Sequence, residues 1–212
     1  MVMSEAGALV AGDGEPMALL ISPAEADHNA LQQLFEQHGW NLHATKSFES
    51  AVPFLRENAV SVVITERDLG GGDWKDVLNA IHGLHEPPLL IVISRLADDR
   101  LWAEGLNLGV YDVLAKPLVP EEVVRVLTSA WIQQLSQRMH AAHRTYKDAV
   151  EEYKTIVAKY GNMRDSVDGA FALRRAAENE RLASQKYGKA VKAYSAMVRG
   201  NRPPGPPVES EL

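Results

Sequence analysis

Between residues 17 and 116, short apolar runs alternate with stretches whose apolar residues recur at helical spacing. That alternation constrains the fold more than any other feature, because it demands strands and helices taken in turn around one parallel sheet. The runs are Ala18–Ile21, Leu42–Thr45, Val60–Thr65, Leu89–Ser94 and Tyr111–Ala115. Between them the spacing predicts helices over Ala26–His38, with Ala30, Leu31, Leu34 and Phe35 inward, over Phe48–Glu57, and over Trp74–Leu84, with Val77, Leu78 and Ile81 inward. Two more are expected over Asp98–Leu108 and from Pro120 onward. Five β/α units make a doubly wound sheet, whose ligand site lies outside the carboxyl ends of its strands. Ser22, Glu66, Ser94 and Lys116 sit at those ends.

Composition limits the chemistry such a site can carry. The 212 residues include no cysteine, which excludes disulfides, thiolate metal sites and cysteine nucleophiles. No apolar run approaches the roughly 18 residues of a membrane span, and Met1–Glu15 lacks the basic cluster of a secretory signal. The expectation is a cytoplasmic protein with no membrane contact, a flexible N-terminus over 1–15 and an α/β domain over 16–133.

Charge divides the chain again. Residues 1–133 hold 19 acids against 8 Lys and Arg, net −11, whereas residues 134–200 hold 7 against 13, net +6. Two surfaces of opposite character follow. From Glu121 to Tyr160 neither Gly nor Pro interrupts the chain, which predicts a helix of about 40 residues and about 60 Å. Tyr146, Tyr153 and Tyr160 fall seven apart, with Ala149, Ile156 and Met163 at the complementary heptad positions. Gly161-Asn162 is a helix stop, and Ser166 or Asp168 can cap a second helix that runs to about Arg199. The pattern Tyr146-x-x-Ala149-Val150-x-x-Tyr153-x-x-x-Val157 returns 41 residues later as Tyr187-x-x-Ala190-Val191-x-x-Tyr194-x-x-x-Val198. Two such helices make an all-α hairpin over 134–200, a coiled-coil element for dimerisation or docking, with Tyr146, Tyr153, Ile156, Tyr187 and Tyr194 as the dimer seam. Residues 201–212, with Pro203-Pro204-Gly205-Pro206-Pro207, are expected to be disordered.

The acidic half resembles the receiver domain of two-component response regulators over roughly residues 17–133. Gly109-Val110-Tyr111-Asp112-Val113-Leu114-Ala115-Lys116-Pro117 is similar to that family's fifth β/α unit, with its lysine and proline. Val62-Val63-Ile64-Thr65-Glu66 resembles the phospho-acceptor strand, Ser94 ends the fourth strand as the family's Ser or Thr does, and Gly39-Trp40 matches a Gly-aromatic pair after the first helix. The resemblance implies a flavodoxin-like sheet of order 2-1-3-4-5, a role in phosphorelay signalling, and a histidine kinase or a downstream effector as partner.

The departures bear on the mechanism. Glu66 stands at the phospho-acceptor aspartate's place, and Ser22 and Pro23 stand where the family's metal-holding acids fall. No metal and no other cofactor is therefore expected. Glu25 and Asp27 open the next helix, where they either offset its N-terminal dipole or reach back toward a metal. Lys116 can pair directly with Glu66, which would fix the domain in one state, or the two can form a solvated pair in a disused pocket. Ser94 can bond Glu66 or simply form a turn. The switch aromatic falls on Val113, and Tyr111, two residues earlier, is the alternative switch residue. Gly70-Gly71-Gly72 implies a mobile loop, but without a following Lys-Ser/Thr pair it is not a phosphate-binding P-loop.

These readings converge on a non-enzymatic pseudo-receiver that works by protein contact, joined to a hairpin that makes a homodimer. The alternative is an RNA- or DNA-binding regulator resembling transcription antiterminators, using Arg174, Arg175, Arg181, Lys186, Lys189 and Lys192. Against it, the tyrosines belong to the apolar seam, Glu178 and Glu180 interrupt the basic run, and no helix-turn-helix pattern is present. His140 and His143 have the spacing of two metal ligands but no third within reach.

Overall fold

The computed structural model describes residues 17–161 and 167–200. The flexible N-terminus expected over 1–15, the tail 201–212, and Asn162, Met163 and Ser166 lie outside the described residues. The described chain parts into two compact units between Gln134 and Leu135.

The first unit is the five-stranded parallel sheet. Its elements run β1 (Met17–Ile21), α1 (Glu25–His38), β2 (Asn41–Thr45), α2 (Phe48–Glu57), β3 (Val62–Glu66), α3 (Trp74–His82), β4 (Leu89–Ser94), α4 (Asp99–Leu108), β5 (Asp112–Ala115) and the first part of α5 (Pro120–Tyr160). Strand order is β2-β1-β3-β4-β5, with every pairing parallel. The central strands β1, β3 and β4 are buried almost throughout, as strands with helices on both faces must be. Two boundaries differ from expectation in a way that matters: β3 extends to include Glu66, and β5 begins at Asp112, leaving Tyr111 outside the strand.

Local chemistry ends and starts the helices. Gly39 and Gly109 close α1 and α4 in the left-handed region, where a side chain is strained. Asp98 caps α4 through the Leu101 N–H, and Asp73 caps α3 in a reciprocal box with Asp76. Gly105 is buried where α4 packs on β5, with the Val113 side chain 3.4 Å from where a Cβ would stand. The inward face of α1 is a correction: Ala30 is exposed, and the buried positions are Asp27, Leu31, Leu34 and Phe35. Trp131 of α5 is fully buried and meets Phe35 and Trp40 edge to face.

In the second unit the remainder of α5 pairs with α6 (Val167–Val198). Tyr146 stacks on Tyr187 with centroids 6.0 Å apart, and Val157 and Leu173 line one groove, so the two helices run antiparallel. Asp168 lies in the first turn of α6, inside the helix and not at its cap. Among the described residues from 136 to 200, the buried ones are Ala149, Gly169, Ala176 and Ala183. Among the described residues no helix is long and apolar enough to cross a membrane.

Candidate functional site

Parallel strands bring their carboxyl ends to one edge, and the backbone register there sets the site. Glu66 ends β3 opposite Ile93, Ser94 ends β4 opposite Ala115, and the Lys116 N–H donates to the Ser94 carbonyl at 2.9 Å. Ser22 follows β1 and donates its N–H to the Thr45 carbonyl at 3.1 Å. The Lys116–Pro117 peptide is cis.

Lys116 sends its ammonium into this edge and bonds two carboxylates. It donates to Glu66 Oε2 and, at 2.5 Å, to Asp27 Oδ2. The same Asp27 oxygen accepts the Ser22 hydroxyl at 2.5 Å, and the other Glu66 oxygen accepts the Arg67 N–H at 3.2 Å. Ser22 in turn accepts the Ala24 N–H on its hydroxyl, and its carbonyl bonds the His28 ring. The three charged side chains are only 9%, 8% and 15% exposed for Lys116, Asp27 and Glu66. Charge-assisted bonds in such a shielded place are stronger than the solvated pair of an exposed surface.

Asp27 is the residue whose role the sequence reading missed. Besides lying in the first turn of α1, it is 6% exposed and bonded to Ser22 and Lys116. The available signal was its spacing: Asp27, Leu31, Leu34 and Phe35 share one helix face, and a carboxylate on a buried face needs a partner. Glu25 does remain outside, paired with Lys46 at 2.8 Å, which holds its carboxyl below the usual range.

Other expected site residues stand apart from the network. The Ser94 hydroxyl accepts the Leu96 N–H at 3.1 Å, so its part is turn formation. Val113 is buried in the core. Tyr111, just before β5, is half-buried; burial, with help from Asp112, pushes its phenol up. The Gly70–Gly72 loop is closed by the Leu69 N–H on the Gly72 carbonyl at 3.0 Å. Gly70 has φ +75°, where a side chain is strained, and a Cβ on Gly72 would displace the Asp76 carboxylate, 2.6 Å away. In the hairpin, Tyr146 and Tyr187 face each other within one chain, Ile156 and Tyr194 are half-buried, and Tyr153 is 36% exposed.

Residues 20–128, just over half the chain, match the family described as the response regulator receiver domain. The chain belongs to that family. Members are signalling domains of two-component systems. Among curated proteins, this receiver is 22% identical over 130 residues to the transcriptional regulatory protein YvrH of Bacillus subtilis, covering 60% of this chain and 54% of that one. It is 29% identical over 121 residues to the regulatory protein VanRc of Enterococcus gallinarum, covering 56% and 49%. The chain thus spans about half the length of these relatives. Among solved structures, the signal receiver domain of an HD domain-containing protein from Pseudomonas fluorescens is 28% identical with a TM-score of 0.53, covering 57% of this chain and 98% of that one. A CheY-like receiver from Methanospirillum hungatei, 15% identical with a TM-score of 0.54 over 58% of this chain and 98% of its own, shares the fold.

Against the family's metal-dependent phosphoryl chemistry, the donor set here does not fit. Ser22 and Pro23 supply no carboxylate, and Asp27 is taken up by Ser22 and Lys116. Among the described residues, no three His, Asp or Glu side chains are grouped to hold a metal. The Lys116 ammonium is bonded to both the Glu66 and the Asp27 carboxylates.

Proposed function

We propose that this receiver signals by protein contact without taking up phosphate, held in one state by the bridge from Lys116 to Glu66 and Asp27. The single observation that carries the reading is Lys116 bonded to both carboxylates in a shielded pocket. Two carboxylates against one ammonium leave the pocket net negative, which repels an incoming phosphoryl donor. Val113, buried where a switch aromatic is expected, leaves no rotor there to report phosphorylation.

On this reading the chain is a cytoplasmic, non-enzymatic pseudo-receiver coupled to a helical output hairpin, with a histidine kinase or a downstream effector as partner. The hairpin favours protein over nucleic acid as its target. Tyr146 is stacked on Tyr187, and Arg181 is bonded twice to Glu178. A phosphate-binding surface with stacking aromatics would present both groups outward.

Incubation with acetyl phosphate and Mg²⁺, followed by intact-mass and peptide analysis, tests the proposal. No gain of a phosphoryl group is expected. A phosphorylated Glu66 would overturn the reading.

A further inference from the structure

Two carboxylates that arrive from different elements meet at one cation. Asp27 stands in the first turn of α1 and Glu66 at the end of β3, and each has an oxygen bonded to the Lys116 Nζ. Each is also fixed by a second donor. The Ser22 hydroxyl donates to Asp27 Oδ2 at 2.5 Å, and the Arg67 N–H donates to Glu66 Oε1 at 3.2 Å. Neither carboxylate relies on the ammonium alone for its place, so the pair is preorganised to hold a positive charge.

The charge balance points the same way. One ammonium against two carboxylates leaves a residual negative charge among side chains at most 15% exposed. Such a pair suits a divalent ion such as Mg²⁺ or Mn²⁺, which one or two carboxylates commonly hold while water completes the shell. It is also a different pair from the one the family places after its first strand, since those positions are Ser22 and Pro23. What stands against a divalent ion here is a tether. Lys116 is anchored next to β5 by its N–H on the Ser94 carbonyl, so its ammonium competes as part of the same molecule, with no association entropy to lose.

We infer that the Lys116 ammonium is the resident cation of this pocket, standing in for a divalent ion that Asp27 and Glu66 bind once the ammonium is removed. The receiver's fixed state is therefore independent of divalent ions. The inference rests on the closed-pocket reading and adds what closes the pocket and what takes its place.

Titration of the full chain with Mn²⁺, with no phosphoryl donor present and with the free ion followed by electron paramagnetic resonance, tests it. The unaltered chain is expected to take up no stoichiometric Mn²⁺ and to keep its melting temperature. Lys116→Ala should bind one equivalent at least about tenfold more tightly than the unaltered chain and melt higher with Mn²⁺ than without. Adding Asp27→Asn should abolish that gain, and adding Glu25→Gln, at an exposed acid of the same helix turn, should preserve it. If Lys116→Ala loses its circular dichroism in metal-free buffer, Mn²⁺ should restore it. Stoichiometric uptake by the unaltered chain, or a Lys116→Ala chain that neither binds Mn²⁺ nor is restored by it, overturns the inference. A phosphoryl group on Glu66 is seen by mass and Mn²⁺ uptake is seen without any donor, so failure of the closed-pocket reading and failure of this one are read separately.

Discussion

In the receiver unit, Trp131, Phe35, Trp74 and Ile64 are each no more than 2% exposed; among the described residues of the second unit, the buried side chains are Leu135, Ala149, Ala176 and Ala183. Both units carry exposed ion pairs, such as Glu25–Lys46 in the receiver, and the receiver has in addition a shielded one. Lys116 meets Asp27 and Glu66 with side chains at most 15% exposed, while Glu151–Lys154 and Glu178–Arg181 are more than half exposed. The first unit holds its own core and its own buried charges. The second presents a helix pair whose larger apolar side chains are mostly half-buried, with Tyr153, Val157, Phe171 and Leu182 among those exposed.

Substitutions should separate the two units by size of effect. Phe35→Ala removes a ring packed against Trp40 and Trp131 and should cost about 4 kcal/mol in denaturant unfolding, the same at every protein concentration. Lys116→Met leaves Asp27 and Glu66 shielded and facing each other without a cation, and should cost about 3 kcal/mol. A loss below about 1 kcal/mol would place that bridge with ordinary surface pairs.

A smaller effect is expected at Asp112. Burial holds its carboxyl above the ordinary 3.8, against the pull of the Val113 N–H and Arg125. The folded state therefore binds this proton more tightly than the unfolded chain, so the penalty is absent below the ordinary value and grows as pH rises through the raised one. Asp112→Asn should raise the melting temperature at neutral pH and lose that advantage near pH 3; an unchanged gain at both would contradict the cause. Smallest of all, Glu151→Gln in the hairpin should change stability by less than about 0.5 kcal/mol.

The fold of the acidic half was legible because its runs of Val, Ile and Leu are short, regularly spaced and interrupted by helical patterns. The site was legible only in part. Glu66 and Lys116 announced themselves by their places at strand ends, but Asp27 sits in a helix's first turn, where an acid has a sufficient local explanation. Its partner is 89 residues away, and only the folded sheet brings them together. Ala30 was misplaced for the same reason: a polar residue occupied the inward position, so the apolar pattern pointed one step aside. In the hairpin the heptad tyrosines were visible, but not that Tyr146 would meet its own repeat partner, because one helix alone does not say which neighbour it takes.

The claim that the pocket is closed is tested most directly by amide spectra of the ¹⁵N-labelled chain recorded before and after addition of beryllofluoride, a phosphoryl mimic, with Mg²⁺. Superimposable spectra are expected, with the Glu66, Ser94 and Lys116 amides unmoved. Saturable shifts at those three positions would show that the bridge opens to admit a phosphoryl group, and would contradict the closed pocket.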